Sequence, residues 1–449
     1  MLESYVNIFK IPDLRKKVLF TLGIILVYRV GSFIPTPGID GAKLAMFFDN
    51  MAKTQGGTLF SIMNMFSGGA MERLTIFALG IMPYISSSII MQLLTTVIPA
   101  LERLAKQGDE GRKQITQLTR YGTIVLAIIQ SYFIALWLEN PARFQGMEIV
   151  PSPGAGFRVL TVLTLTTGTA FIMWLGEQIQ EKGIGNGMSI IITAGIVSRM
   201  PSAIFQMASL IAPGTSGESQ ISPFKAVFLV FMFVAVVLAV ILISQGQRKI
   251  PVQYAKRVVG RKIYGGQSTF IPLRVNQGGV IPIIFAQSIL MFPATIAGIV
   301  PNKAVLGIGN ALMMGQPLHY FLYTLLILFF CYFYAAITFN PIDMANNMKR
   351  FGGFVPGIRP GKQTAEYFDF IMTRITLPGA VFLAIIAILP EIINTKIGIP
   401  YLVASFFGGT GLLIIVGVML DTMRQIESHL LMRHYEGFMK KGRIRGRLT

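Results

Sequence analysis

GIMPYISSSIIMQ, residues 80–92, places a glycine, a proline and three serines inside a long apolar run. The same Gly-x-x-Pro-x-Ile spacing returns in the second half of the chain as GVIPIIFAQS, residues 279–288. Within a membrane, backbone departs from a regular helix only where it is buried in protein or lines a cavity. Paired glycine and proline breaks in two halves of a membrane protein mark a site between repeats. The two stretches therefore predict a passage at the interface of two related halves.

The composition of the chain is that of a membrane protein. Of its 449 residues, 53% are hydrophobic and 13% are charged, and the mean hydropathy is +0.62. A helix that crosses a bilayer needs about 20 mostly apolar residues. Ten segments come close to that length, and they predict an all-α membrane protein with ten transmembrane helices. They cover residues 18–34, 74–98, 121–138, 159–176, 188–211, 226–243, 279–300, 318–339, 375–389 and 401–420.

These segments divide into two groups of five. We therefore expect two pseudo-symmetric halves, residues 1–217 with spans one to five and residues 218–449 with spans six to ten and a basic tail. Most of the 39 Lys and Arg residues share one side if both termini are inside, so the positive-inside rule makes both termini cytoplasmic. No small-residue cleavage site follows the first apolar run, which we interpret as an uncleaved helix.

The outer connection between the first two spans, residues 35–73, is unusually long. It ends in a short apolar segment, residues 59–66, bracketed by glycine pairs at 56–57 and 68–69. Eight residues cannot cross a bilayer as a helix. Two interpretations remain open. The segment is either a small helix packed on the outer surface or a mobile stopper of a pore mouth, with the glycines as hinges.

Two inner loops carry much of the positive charge. Residues 247–278 contain no acidic residue and alternate basic with apolar side chains, which predicts a β-hairpin turning near Gly260. In residues 340–374, two Pro-Gly elements hold Arg359 at a stiff loop tip. Such loops favour an anionic partner: RNA, an acidic protein surface, or both. The alternative is that these charges only fix the topology and attract anionic lipid.

The sequence offers little catalytic chemistry. The three histidines match no metal-binding spacing, Cys331 stands alone, and no nucleotide-binding or nucleophile motif occurs. We therefore expect no enzyme, no cofactor and no metal. An ion-coupled transporter keeps an ionisable group within the bilayer, but here only Arg29 lies within a span, near its end. Two rivals to a channel remain: an uncoupled transporter of small solutes, and a non-conducting scaffold that recruits ribosomes.

Several motifs resemble those of one family. TIFALGIMPYISSSIIMQLL at residues 75–94 resembles the second span of the SecY/Sec61α family of protein-conducting channels. Segments similar to that family follow in the same order along the chain, and the hairpin and GIRPG loops are closest to its bacterial branch. They are EKGIGNGMSIII, YAKRVVGR, QSTFIPLRVNQGGVIP, GFVPGIRPG and FFGGTGLLI.

The resemblance implies roles for four groups of residues. The apolar ring at the waist of an hourglass pore corresponds to Ile81, Ile85, Met188, Ile192, Ile284 and Ile414, where most members carry isoleucine in place of Met188. The plug, matched only by position, corresponds to Leu59, Phe60, Ile62, Met63, Met65 and Phe66. The lateral gate between spans two and three and spans seven and eight offers Ser87, Gln92, Gln287 and Ser288. Docking of cytoplasmic partners corresponds to Lys256, Arg257, Arg261 and Arg359.

The resemblance also implies a function. Such a channel passes unfolded secretory polypeptides across the plasma (inner) membrane and releases hydrophobic segments sideways into lipid. Its implied partners are the small subunits SecE and SecG, the motor ATPase SecA, the ribosome through its RNA, signal peptides and nascent chains, and membrane lipid. Because the sequence holds no nucleotide-binding motif, the energy would come from the motor or the ribosome.

Overall fold

The computed structural model describes residues 11–54, 64–144, 146–211, 223–254, 257–259, 262–264, 268–299, 311–312, 316–397, 399 and 401–441. Helices dominate these residues. In the first half they are α1 Pro12–Gly31, α2 Gly41–Thr54, α3 Met82–Val97, α4 Pro99–Lys106, α5 Asp109–Leu138, α6 Ala155–Lys182, α7 Gly187–Val197 and α8 Met200–Ile211, with a 3-10 turn at Pro141–Phe144. In the second half they are α9 Pro223–Gln245, α10 Ile281–Ile299, α11 Pro317–Thr338, α12 Pro341–Arg350, α13 Lys362–Ile397, α14 Tyr401–Ala404 and α15 Gly409–Lys441.

Many of these helices are long and apolar enough to cross a membrane. Among the described residues there are seven such spans, or eight if the bent pair of α3 and α4 counts as one. The remaining predicted spans correspond to α1, which has charged residues near both ends, and to α10, whose short apolar stretch covers Ile281–Leu290. The prediction of a helical membrane protein is confirmed.

The boundaries of several predicted spans were wrong. The second span was expected over residues 74–98, but residues 70–81 form successive turns and the helix begins only at Met82. The cause is Gly80 with a φ of +57°, a left-handed conformation that no regular helix continues. The ninth span was expected to end at residue 389, yet α13 runs from Lys362 to Ile397. The tenth span was expected to start at residue 401. The chain instead forms the short α14, and the long helix α15 starts at Gly409, whose φ is +78°.

Helix starts follow local capping chemistry. The side chain of Asn186 accepts a hydrogen bond from the Ser189 N–H at the start of α7. Asn340 caps α12 in the same way and is followed by a proline at the first helical position. Both caps satisfy N–H groups that have no partner inside the helix.

The predicted hairpin is present. Strand β1 (Gln247–Tyr254) pairs antiparallel with β4 (Ser268–Arg274), and β2 (Arg257–Val259) pairs with β3 (Lys262–Tyr264), so the chain turns between Val259 and Lys262. A short strand that the sequence did not predict, β5 (Gly353–Phe354), pairs with the end of β1. This pairing fixes the loop that carries Arg359 beside the hairpin.

Candidate pore waist, plug and partner surface

The two Gly-x-x-Pro breaks have the same backbone geometry. Gly80 has a φ of +57° and Gly279 a φ of +59°. Each is followed two residues later by a helix, α3 or α10, whose second residue is proline. The first helical hydrogen bond is also repeated, from Ile85 N–H to the Ile81 carbonyl at 3.1 Å and from Ile284 N–H to the Val280 carbonyl at 3.2 Å. The sequence repeat is therefore also a structural repeat.

The predicted ring residues come together in the interior. They come from the start of α3, from α7, α10 and α15, and belong to or pack against one apolar cluster that includes helices of both halves. Ile81, Ile85, Met188, Ile192 and Ile414 are buried, and Ile284 is partly buried. Burial of this kind means that the side chains face other protein elements and not lipid. Their role as the constriction of a pore stays a prediction.

Met188 differs from the other ring candidates in what it contacts. A Cβ atom placed at Gly176 in α6 would overlap the Met188 sulfur, so the Met188 side chain fills the space that this glycine leaves. A flexible thioether adapts to such a gap. Met188 therefore packs partly against α6.

The end of the predicted plug packs on the ring cluster. Met65 and Phe66 are each 3% exposed and belong to the cluster that contains Ile85 and Ile192. The predicted hinge glycines that follow have positive φ angles, +66° at residue 68 and +89° at residue 69. The other plug candidates, Leu59, Phe60, Ile62 and Met63, lie outside the described residues.

The gate candidates divide into two groups. Ser87 is buried in α3, and its hydroxyl donates to the Thr119 carbonyl of α5 at 2.8 Å, so it faces the third span and not the seventh. Gln92 is half-buried, and its backbone carbonyl accepts a hydrogen bond from the hydroxyl of Thr95 at 2.7 Å. In α10, Gln287 Oε1 and Ser288 Oγ are buried without a hydrogen-bond partner among the described residues. These two buried oxygen atoms could each accept a hydrogen bond that the described residues do not supply, and their role in a gate stays a prediction.

The docking candidates are partly described. Arg359 is exposed at a turn between two glycines of positive φ, Gly357 at +82° and Gly361 at +113°. The Thr364 hydroxyl donates to the Arg359 carbonyl at 2.8 Å and stiffens this turn. Arg257 lies in β2, where the structure describes the backbone alone, and Lys256 and Arg261 lie outside the described residues.

Sequence reasoning missed the polar residues that hold the segment after the candidate plug. Glu72 and Arg199 are 127 positions apart, yet their side chains meet at 3.0 Å. Arg29, identified as a charge within a span, donates to the Gly68 carbonyl at 3.0 Å. A cation at this depth requires a partner, so Arg29 was the one residue that could have pointed to the network.

Comparisons with known proteins agree with this geometry. A family model described as SecY matches residues 75–423. The chain is 49% identical over 439 residues to the protein translocase subunit SecY of Escherichia coli K12, covering 97% of this chain and 96% of that protein. It is similar in fold to a solved protein-conducting channel, with a TM-score of 0.60 and 18% identity over 94% of this chain and 96% of the other. A structure of Sec61 in the canine ribosome-channel complex gives a TM-score of 0.57 and 16% identity over 94% and 96%. This chain belongs to the SecY family.

Proposed function

We propose that this chain is the pore-forming subunit of a protein translocase. It passes unfolded secretory polypeptides across the membrane and releases hydrophobic segments sideways into lipid. The observation that carries the proposal is the repeated break. Two helices from opposite halves begin at the same backbone geometry, and Ile85 and Ile284 of these helices pack into one interior cluster.

An apolar ring suits a pore that must accept many sequences. Directional hydrogen bonds would retain some polypeptides more than others, whereas branched apolar side chains yield to a chain of any shape. When the pore is empty, a hydrophobic constriction excludes water and blocks ions by dewetting. Such side chains come from the N-cap of α3 at Ile81, from α7 at Ile192 and from α15 at Ile414.

The lateral gate lies between α3 of the first half and α10 of the second. A passing segment of about 20 apolar residues is more stable in lipid than in the pore, whereas each charged residue at its centre opposes insertion by about 2.5–3.5 kcal/mol. Separation of the two helices would therefore sort segments by hydrophobicity. Gln287 and Ser288 of α10 would contact the segment as it leaves. Their buried oxygen atoms, which lack hydrogen-bond partners among the described residues, would then accept hydrogen bonds from it.

The partners are proposed from charge and from the family. The Arg359 turn and the hairpin form a basic surface on one side of the molecule, which fits the acidic surface of the motor SecA or the RNA of a ribosome. The small subunits SecE and SecG complete the complex in the plasma (inner) membrane, with both termini of this chain cytoplasmic. The chain itself catalyses no reaction, and the motor or the ribosome supplies the energy.

Transport in reconstituted vesicles tests the proposal. The complex, supplied with SecA and ATP outside the vesicles, is expected to protect a secretory protein from added protease. Omission of ATP is the control and should abolish protection. Saturable uptake of a small solute without any partner, together with no protected polypeptide, would instead identify a small-solute transporter.

A further inference from the structure

Residues 64–72, which contain the end of the candidate plug and the residues that follow it, are called here the stem. A carboxylate closes the stem into a loop. The Asn64 Nδ2 group donates to Glu72 Oε2 at 2.9 Å, and the Glu72 N–H donates to Asn64 Oδ1 at 3.0 Å. Arg199, between α7 and α8, donates from Nη2 to the same Oε2 at 3.0 Å. One carboxylate therefore joins both ends of the stem and ties them to the fifth span.

The first span holds the middle of the stem. The Arg29 Nη1 group donates to the Gly68 carbonyl at 3.0 Å, and the Tyr28 hydroxyl donates to the Ser67 carbonyl at 3.4 Å. The Arg29 guanidinium also lies over the Phe33 ring, 4.7 Å from its centroid. This cation–π contact helps to hold the guanidinium in place. Two successive carbonyl groups of the stem are thus held by side chains of α1.

The contacts of the stem with the two halves differ in kind. Among the described residues, every hydrogen bond of the stem stays within the first half of the chain. Its contact with the second half is apolar: the Met65 sulfur lies 3.4 Å from where a Cβ atom at Gly411 in α15 would stand. Hydrogen bonds to charged groups are directional and strong, whereas apolar contacts have no preferred direction. The contact of the stem with the second half is therefore the one that breaks more readily.

We propose that Glu72 and Arg199 are positioning residues that keep the stem, with the end of the candidate plug, on the first half of the channel. The inference rests on the proposed function. When the halves separate, the stem stays with α1 and α7 and parts from α15 at Met65. The side chains of Arg199 and Glu72 are 16% and 29% exposed, so removal of either partner leaves a partly buried charge without compensation. The resting seal then depends on this ion pair.

Resting ion leak of the reconstituted complex, normalised to folded protein, tests the ion pair. Glu72→Gln and Arg199→Gln should each raise the leak about tenfold, because a hydrogen bond between charged groups is lost. Arg199→Lys keeps the charge and should restore the leak to within about threefold of the natural protein. The matched control is Glu139→Gln, which breaks a similar pair with Arg158 at 2.7 Å away from the stem and should leave the leak unchanged.

Two covalent links test the same inference without altering the ion pair, in a Cys331→Ala background. A disulfide between Ser67→Cys and Gly80→Cys, whose Cβ atoms would be 3.6 Å apart, locks the stem to the first half. A short bifunctional thiol crosslinker between Met65→Cys and Gly411→Cys locks it to the second, because the Met65 side chain reaches to 3.4 Å from a Cβ atom at Gly411. The first link should leave polypeptide transport within about twofold of the unlinked form, and the second should stop it.

The outcomes separate this inference from the proposed function. If the natural complex transports no polypeptide, the function itself is wrong. If it transports polypeptide but Glu72→Gln and Arg199→Gln leak no more than Glu139→Gln, the ion pair does not position the plug. Equal block of transport by both covalent links would also overturn the inference. A purely structural role would lower the yield of folded complex without raising the leak for each folded channel.

Discussion

The two breaks share their backbone geometry and differ in what lies against them. A Cβ atom at Gly80 would meet the Ser67 side chain of the stem at 3.6 Å, so the first break is covered by the segment after the plug. A Cβ atom at Gly279 would meet nothing within 4 Å. The second break opens on a polar cavity of about 180 Å³, whose lining includes Arg274, Asn276, Tyr334, Asp421 and Arg424.

This difference follows from which segment comes before the break in each half of the chain. The candidate plug and the stem precede the first break in the chain, whereas the basic hairpin β1–β4 precedes the second. One copy of the repeat is therefore sealed by its own preceding segment. The other is left open on the side where we propose that polypeptides and partners arrive. We therefore expect the same backbone break to serve as part of a seal in the first half and as part of an entrance in the second.

The largest effect is expected from the ring side chains beside the breaks. Ile85→Gly should raise the resting ion leak and lower stability by about 2–5 kcal/mol, the cost of a large deletion in a core. Ile284→Gly should raise the leak as well but cost less stability, because Ile284 is only partly buried. Planar-bilayer conductance and thermal unfolding measure the two quantities. Unchanged conductance in both variants would remove these residues from the constriction.

Substitution of the two glycines tests whether the stem covers only the first break. Gly80→Val and Gly279→Val both place a branched side chain at positive φ, which costs roughly 1–2 kcal/mol of stability. Gly80→Val should cost more, because its Cβ position is already in van der Waals contact with Ser67 and its two γ-methyl groups extend beyond it. It should also raise the leak by displacing the stem. Thermal unfolding of the purified complex compares them. Equal losses of stability and equal leaks would mean that the stem does not cover the first break.

The entrance side is tested at the exposed loop turn. Arg359→Glu should reduce motor-driven transport several-fold, because the substitution reverses a charge on the basic surface. Thermal stability should change little, because Arg359 is exposed. Lys362→Glu is the matched control, three positions along and with its side chain 91% exposed. Transport that falls equally in both variants would point to net charge and not to the Arg359 turn.

The smallest effect is expected at the gate. Gln287→Leu removes a buried oxygen that lacks a partner among the described residues and should stabilise the closed state by about 1 kcal/mol. Transport of a weakly hydrophobic signal peptide should then decline before that of a strongly hydrophobic one. Gln92→Leu, at a half-buried position of α3, serves as the comparison. A preference for the weaker signal peptide would contradict the expected stabilisation.

Features encoded by local pattern were predictable from the sequence. Apolar length predicted most of the spans, alternation of basic and apolar residues predicted the hairpin, and the Gly-x-x-Pro repeat predicted both breaks. Each depends on residues close together in the chain. Hydrophobicity alone could not find the helix start at Met82, because residues 74–81 are as apolar as the helix that follows.

Features that depend on distant side chains were not predictable. The orientation of Ser87 towards Thr119 is set by how α3 rotates against α5, which no spacing in α3 reveals. The Glu72–Arg199 pair joins residues that share no motif. The candidate ring could be named only through the family resemblance, since buried isoleucines at helical spacing usually mark ordinary packing.

The most direct measurement of the central claim is photo-crosslinking of an arrested secretory polypeptide. A photoreactive residue is placed in turn at Ile81, Ile85 and Ile284, and at Leu242 in α9, which is 72% exposed on the outside of the helix bundle. The account predicts crosslinks from the three ring positions and none from Leu242. Crosslinks from Leu242 alone, or from no ring position in an actively transporting complex, would contradict it.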